Sequence, residues 1–180
     1  MISLRDRAID AAIELLGTQG LKSLTHRRID QQAQLPPGST SNYFRTRDAL
    51  LIGVADAIVE QEMAGAGAAF APDSVDEFLD ALAALVDHIT SNQRIVTTAR
   101  LVLFMEASHD PALREALWRG RALIATALEP VLRGLGARDP HTAAGAVMAC
   151  SEGLILHRIA RHDETDVRPI LDLVVRAALG

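Results

Sequence analysis

Apolar residues recur three and four positions apart along most of this chain, and that period constrains its fold more than any other feature. Ile9, Ala12, Ile13 and Leu16 make one such stripe. Phe78, Leu79, Leu82, Leu85, Val86 and Ile89 make another. A repeat near 3.6 turns one helix face to a core, whereas a half-buried strand needs a repeat of two. Composition agrees: Ala and Leu supply 30 and 24 of the 180 residues. Both stand high on the helix scale, and Ala is depleted in strands. The expected fold is all-α.

Punctuation between the stripes gives nine expected helices. The first runs from Ser3 to Gly17, closed by Gly17 and Gly20, since glycine favours helix C-termini. Thr25 caps the second, with Leu24 before it able to pack on Ile29 as a hydrophobic staple. After Ala33 and a short turn at Gln34-Leu35-Pro36, a very short third helix starts with Pro37 and ends near Phe44. Thr46 caps a fourth, Arg47 to about Ala64. Met63 to Asp73 is a composition break and reads as a connection. Ser74 and Glu77 form a capping box for the fifth helix, which breaks at Ser91-Asn92. The sixth spans about Gln93 to Ser108. Asp110-Pro111 and Asp139-Pro140 start the seventh and eighth, which end at Gly134 and about Arg161. A polar loop from His162 to Asp166 precedes the ninth, about Val167 to Leu179.

Several classes of protein are excluded. A single cysteine, Cys150, cannot build an internal disulfide framework. On an apolar face with Val147 and Leu154 it reads as a buried structural thiol. The longest uncharged apolar run, around Ala143 to Ala149, is far short of a membrane span. The first residues lack an apolar h-region, so a cytoplasmic protein is expected. His157 and His162 are five apart, not the four that puts two ligands on one helix face, so no metal site is expected. Neither a phosphate loop nor a nucleophile elbow nor a paired-carboxylate motif is present. No cofactor and no catalytic residue are expected, and the chain reads as a non-enzyme.

The net charge of −5 hides an asymmetry. Residues 1–48 carry seven basic and five acidic side chains, a net of +2, while residues 49–180 carry a net of −7. A mildly basic head on an acidic body fits a DNA-binding module carried by a larger domain. Two helices joined by a tight turn, the second short and polar, is the helix-turn-helix arrangement. That second helix reads Pro37-Gly38-Ser39-Thr40-Ser41-Asn42-Tyr43. Ser, Thr and Asn suit base edges and phosphates alike. A polar connecting loop is the alternative, because Pro-Pro-Gly-Ser is also ordinary turn chemistry.

The first 51 residues resemble the DNA-binding domain of the TetR/AcrR family of transcriptional regulators. The resemblance rests on the alanine-rich first helix, Gly20-Leu21, Leu24-Thr25, Ile29, Ala33, Leu35, Gly38, Phe44 and Arg47-Asp48-Ala49-Leu50-Leu51. It implies a head over 1–48 and a helical effector-binding and dimerisation domain over 49–180. Thr25 then caps the second helix and touches a phosphate. Arg27 and Arg28, on that helix's first turn, contact backbone or bases. Pro37, Gly38, Ser39, Thr40, Ser41, Asn42 and Tyr43 form the recognition helix, with Ser39, Thr40 and Asn42 reading bases. Arg47 matches a family lysine that holds a phosphate at a helix N-terminus, where free N–H groups and the helix dipole favour an anion. The chain departs from the family in three places. Gln34 stands where the family has a turn glycine, Pro36 where it has a serine cap, and Ser41 where it has a tyrosine. Tyr43 is the phenol on hand for that tyrosine's phosphate contact.

The resemblance further implies a small-molecule effector among helices five to eight. Phe78, Leu82, Phe104, Met105, Trp118 and Met148 are the large or adaptable side chains for such a pocket, with Glu106, His109 and Glu152 as polar anchors. For each apolar one taken singly, plain core is the more ordinary reading. Helices eight and nine are expected to pair with their copies in a homodimer, through Ala143, Val147, Cys150, Leu154 and Ile155 with Ile170, Leu171, Leu173, Val174 and Ala178. A C2 dimer sets two reading heads for successive major grooves. The function implied is a ligand-responsive regulator that binds a double-stranded DNA operator and is released by the ligand. The alternative is a helical ligand-binding or interaction protein that no longer reads DNA.

Overall fold

The computed structural model describes residues 3–66 and 72–180. Nine α-helices and one 3₁₀ turn make up the described chain. They are α1 (Leu4–Gln19), the 3₁₀ turn Leu21–Ser23, α2 (His26–Gln32), α3 (Ser39–Tyr43), α4 (Arg47–Ala66) and α5 (Val75–Ser91). α6 (Arg94–Glu106), α7 (Pro111–Gly134), α8 (Pro140–Arg161) and α9 (Arg168–Leu179) follow. The all-α expectation holds over the described residues. The connection expected over 63–73 lies partly outside them, since residues 67–71 are not described.

Local caps start most helices where their residues foretell. The hydroxyls of Ser3, Thr25 and Ser74 accept the N–H groups of Asp6, Arg28 and Glu77. Thr46 accepts from Ala49 N–H, Asp110 from Ala112 and Leu113, and Asp139 from Thr142. Each satisfies a donor that the helix itself leaves unpaired.

Two starts and stops differ from expectation. α1 runs through Gly17 to Gln19, and Gly20, at φ 74°, receives the end of the helix. Gly17 is needed for another reason: a Cβ there would stand 2.2 Å from the Ile95 carbonyl oxygen of α6. Pro37 lies outside α3, which begins at Ser39 behind Gly38 in the left-handed region, φ 88°. Two successive prolines favour extended backbone at the first of them, so the chain turns before it coils.

The described chain forms two compact units. Of the described residues, the first holds those within 1–64 and 94–120, the second those within 65–93 and 121–180. The described residues of the head expected over 1–48 lie in the first unit, whose packing continues through α4, α6 and the start of α7. Its core joins Ile9, Leu16, Leu24, Ile29, Leu50, Ile58 and Leu103. Arg100 of α6 pairs with Glu62 of α4 at 3.2 Å, and Arg119 of α7 with Asp56 of α4 at 3.3 Å.

The second unit packs α5, α8 and α9 around Phe78, Leu79, Val86, Leu132, Val147, Leu171 and Val175. An ion-pair ladder ties α9 to α5. Arg168 reaches Asp80 at 2.6 Å and Asp76 at 3.5 Å, and Arg176 reaches Asp76 at 2.7 Å. Cys150 is half-buried against this core, and burial pushes its thiol pKa up.

Candidate nucleic-acid interface

The short helix α3 cannot stand alone. Five residues make little more than a turn, and helix nucleation is unfavourable. Its place is set by α1, α2 and α4.

α2 ends in a Schellman turn. Gln34 N–H donates to Gln31 C=O at 3.2 Å and Leu35 N–H to Asp30 C=O at 2.8 Å. Gln34 itself sits at φ 52°, the left-handed position where the resembled family has glycine. Arg7 of α1 donates to the Ala33 and Gln34 carbonyls at 2.6 and 3.4 Å, satisfying the end of α2 from outside. Holding a residue with a Cβ in the left-handed region costs about 1–2 kcal/mol, and glycine gives back part of that through greater unfolded-state entropy. Gln34→Gly is therefore expected to raise stability by about 0.5–1 kcal/mol. Urea unfolding checks it, and a loss of stability would mean that the Gln34 side chain makes up the strain.

Asp30 of α2 fixes the other side. It is buried, 5 % exposed. Its Oδ2 accepts Gly38 N–H at 2.7 Å, and its Oδ1 accepts Thr40 N–H at 2.8 Å and the Thr40 hydroxyl at 2.5 Å. Burial pushes the carboxyl pKa up, but the Thr40 hydroxyl, the Thr40 and Gly38 N–H groups and nearby His26 outweigh it and hold the acid below its ordinary value. Asp30 is the residue that sequence reasoning missed. Its partners lie eight and ten positions away, beyond any local capping pattern. Past α3, the buried Phe44 ring lies against Gly53 of α4 and under the Arg5 guanidinium, 5.6 Å from its centroid.

The expected DNA-contacting residues divide into two groups. Thr25, Arg27, Arg28, Pro37, Gly38, Ser41, Asn42, Tyr43 and Arg47 are exposed, Tyr43 to 47 %. Arg47 donates to the Leu24 carbonyl at 3.3 Å, which brings its guanidinium beside the start of α2. Arg28 donates to the Gln19 side chain. Ser39 and Thr40, by contrast, are buried. The Ser39 hydroxyl donates to Pro36 C=O at 2.7 Å and the Thr40 hydroxyl to the Asp30 carboxylate, so both hydroxyl protons are committed within the protein. α3 turns its first two residues inward and its last three outward.

The expected pocket residues fall in both units. In the second unit, Phe78 is fully buried core and Leu82 packs against that core. Met148 is buried, and Glu152 is ion-paired with Arg121. In the first unit, Phe104, Met105 and Trp118 are 56 %, 67 % and 65 % exposed. Glu106 is half-buried and His109 is exposed. The expected dimer stripes are also mixed. Ala143, Val147, Ile155 and Leu171 belong to the core, Cys150, Leu154 and Ala178 pack on it, and Ile170 and Leu173 are exposed.

Among the described residues no group of three or more His, Cys, Asp or Glu side chains could hold a metal ion, and no helix is long and apolar enough to cross a membrane.

Known proteins share both the sequence pattern and the fold. Residues 73–180 match the family described as tetracyclin repressor-like, C-terminal domain. Over 51 residues the chain is 39 % identical to an uncharacterized HTH-type transcriptional regulator in the dhlA 5′ region of Xanthobacter autotrophicus. That stretch spans 28 % of this chain and 25 % of the relative's length. A transcriptional regulator from Rhodococcus sp. Rha1 superposes with a TM-score of 0.83 at 20 % identity, covering 98 % of this chain and 96 % of that one. A TetR-family member from Streptomyces coelicolor A3 gives 0.76 at 25 % identity, with 98 % of each chain covered. The multidrug binding protein EbrR, complexed with ethidium, gives 0.76 at 24 %, with 97 % and 96 % covered. A helix-turn-helix head with an outward polar α3, joined to residues that match this C-terminal family over more than half of the chain, leads to one conclusion: the chain belongs to the TetR family of transcriptional regulators.

Proposed function

We propose that this protein is a ligand-responsive repressor that a small molecule releases from its DNA operator. The observation that carries the reading is α3, whose Ser41, Asn42 and Tyr43 face outward on a helix clamped from α2. A polar, exposed, rigidly held helix is what base reading in a major groove requires. Residues 1–48 act as the head and 49–180 as the effector-binding and dimerisation part. Asn42 and Ser41 read bases, while Thr25, Tyr43, Arg47 and the N-termini of α2 and α4 hold phosphates. Arg27 and Arg28 add charge at the first turn of α2.

A homodimer places two such heads on one duplex. Its face is carried by the exposed Leu156, Ile170 and Leu173 of α8 and α9, the last 71 % exposed. Gly145 and Gly153 of α8, with open space where a Cβ would stand, allow a close approach of two helices. A monomer at micromolar concentration by sedimentation would overturn this assembly. The small-molecule reading draws support from EbrR, which shares the fold and has been crystallised with imidazole and ethidium. The ligand releases the operator only by binding the non-operator arrangement more tightly.

The test is a salt titration of binding to the DNA upstream of the protein's own coding region, against scrambled DNA. Selective binding that weakens with salt is the expected result. Arg47→Ala should weaken binding to all duplexes and lower the salt slope by about 1. Asn42→Ala should cost about 1–3 kcal/mol at one base position and relax preference there. Binding unaltered by either substitution would refute the assignment.

A further inference from the structure

In this chain the turn into α3 has no cap of its own. Pro36 and Pro37 bring neither an N–H nor a side-chain acceptor, and Gly38, at the N-cap position, has no side chain. The donors that such a turn leaves over, Gly38 N–H, Thr40 N–H and the Thr40 hydroxyl, all go to the Asp30 carboxylate of α2. Asp30 is itself held at its backbone, where its carbonyl accepts Leu35 N–H, and its neighbour Ile29 is fully buried. The two carboxylate oxygens divide the work, Oδ2 on Gly38 and Oδ1 on Thr40. A two-pronged, charge-assisted contact resists both sliding and rotation of the helix it holds.

We propose that Asp30 is the positioning residue for DNA reading: its carboxylate sets the register in which α3 presents Ser41 and Asn42. The proposal rests on α3 being the reading helix. Base contacts tolerate displacements of only about 0.5 Å and 10–20°. Loss of the clamp therefore removes discrimination between sequences first, while the phosphate contacts of α2 and α4 survive. The same geometry explains why Thr40 is withdrawn from the reading face. Its hydroxyl is the third point of the clamp.

The test uses the full chain and a duplex recovered by wild-type selection from random sequences, with a scrambled duplex for comparison. Asp30→Ala is expected to lower the ratio of selected to scrambled affinity by about tenfold or more, the loss of one good base contact or so. Affinity for the scrambled duplex should stay within about threefold, because phosphate contacts carry it. Thr40→Val should lower the ratio in the same direction and Thr40→Ser should restore it. Asp30→Asn, which keeps the shape and an acceptor oxygen, serves where the alanine variant fails to fold, and should fall between. Amide exchange in the free protein is the second readout, and Gly38 and Thr40 are expected to exchange faster in either Asp30 variant. An unchanged affinity ratio, or unchanged exchange at those two amides, overturns the proposal. A wild-type chain that selects no duplex overturns the reading of α3 and the proposal with it. That failure is recognisable because the two amides still exchange faster in the variants.

Discussion

Gly17→Ala is expected to destabilise the first unit by about 2 kcal/mol or more. The added methyl would stand 2.2 Å from the Ile95 carbonyl oxygen, 2.9 Å from its carbon and 2.7 Å from its Cγ2. A flexible side chain could swing aside, but a backbone carbonyl in the first turn of α6 cannot move without parting the two helices. Overpacking of this kind costs about 1–3 kcal/mol, occasionally more. The intrinsic helix preference of Ala over Gly, about 1 kcal/mol, works against that cost without cancelling a backbone clash. Melting should fall by several degrees, since each kcal/mol is roughly 2–4 °C for a chain of this size. Gly134 is the control. Nothing lies within 4 Å of its Cβ position, and alanine there should be close to neutral. Urea unfolding of both variants decides the matter, and a Gly17→Ala protein as stable as wild type would show that α1 and α6 slide apart freely.

Phe78→Ala should cost about 3–5 kcal/mol, the range for truncating a fully buried aromatic. Phe78 is 1 % exposed within the core of the second unit, beside Leu79 and Val86. The size of the effect separates two roles that are alike in sequence. A core ring leaves a cavity, and the protein loses stability with or without any ligand. A pocket wall faces space already empty, and its removal costs little until a ligand is present. Trp118→Ala is the contrast: a side chain 65 % exposed should cost under about 1 kcal/mol. A loss below 1 kcal/mol at Phe78 would return that ring to the pocket.

The helices and their starts were legible because their signals are local. The caps at Ser3, Thr25 and Ser74 each close onto an N–H three residues ahead, so four consecutive letters contain the whole interaction. The Asp-Pro pairs at Asp110 and Asp139 work the same way. The helix-turn-helix spacing, too, is written in consecutive residues, down to Gln34 at the turn. Gln34 illustrates a limit of pattern matching. A glycine at a turn announces a left-handed residue, whereas glutamine takes the same φ only because the Schellman bonds and Arg7 hold it there.

What the amino-acid order determined by itself was therefore the helical class, most helix boundaries, the polar character of α3 and the family's head. Tertiary structure decided which side of each helix is wet. Thr40 and Asn42 are equally polar letters two positions apart, about 200° around a helix, and the packing of α3 turns the first inward onto the Asp30 carboxylate and leaves the second exposed. Phe78 and Phe104 are equally apolar, and only the helices packed around them make the first core and leave the second exposed. Gly17 reads as a terminator until Ile95, far along the chain, comes to lie across it. The reason is common to all three. A cap is satisfied within one turn of the backbone that carries it, but burial is a property of the neighbour, and the neighbour is brought there by the fold.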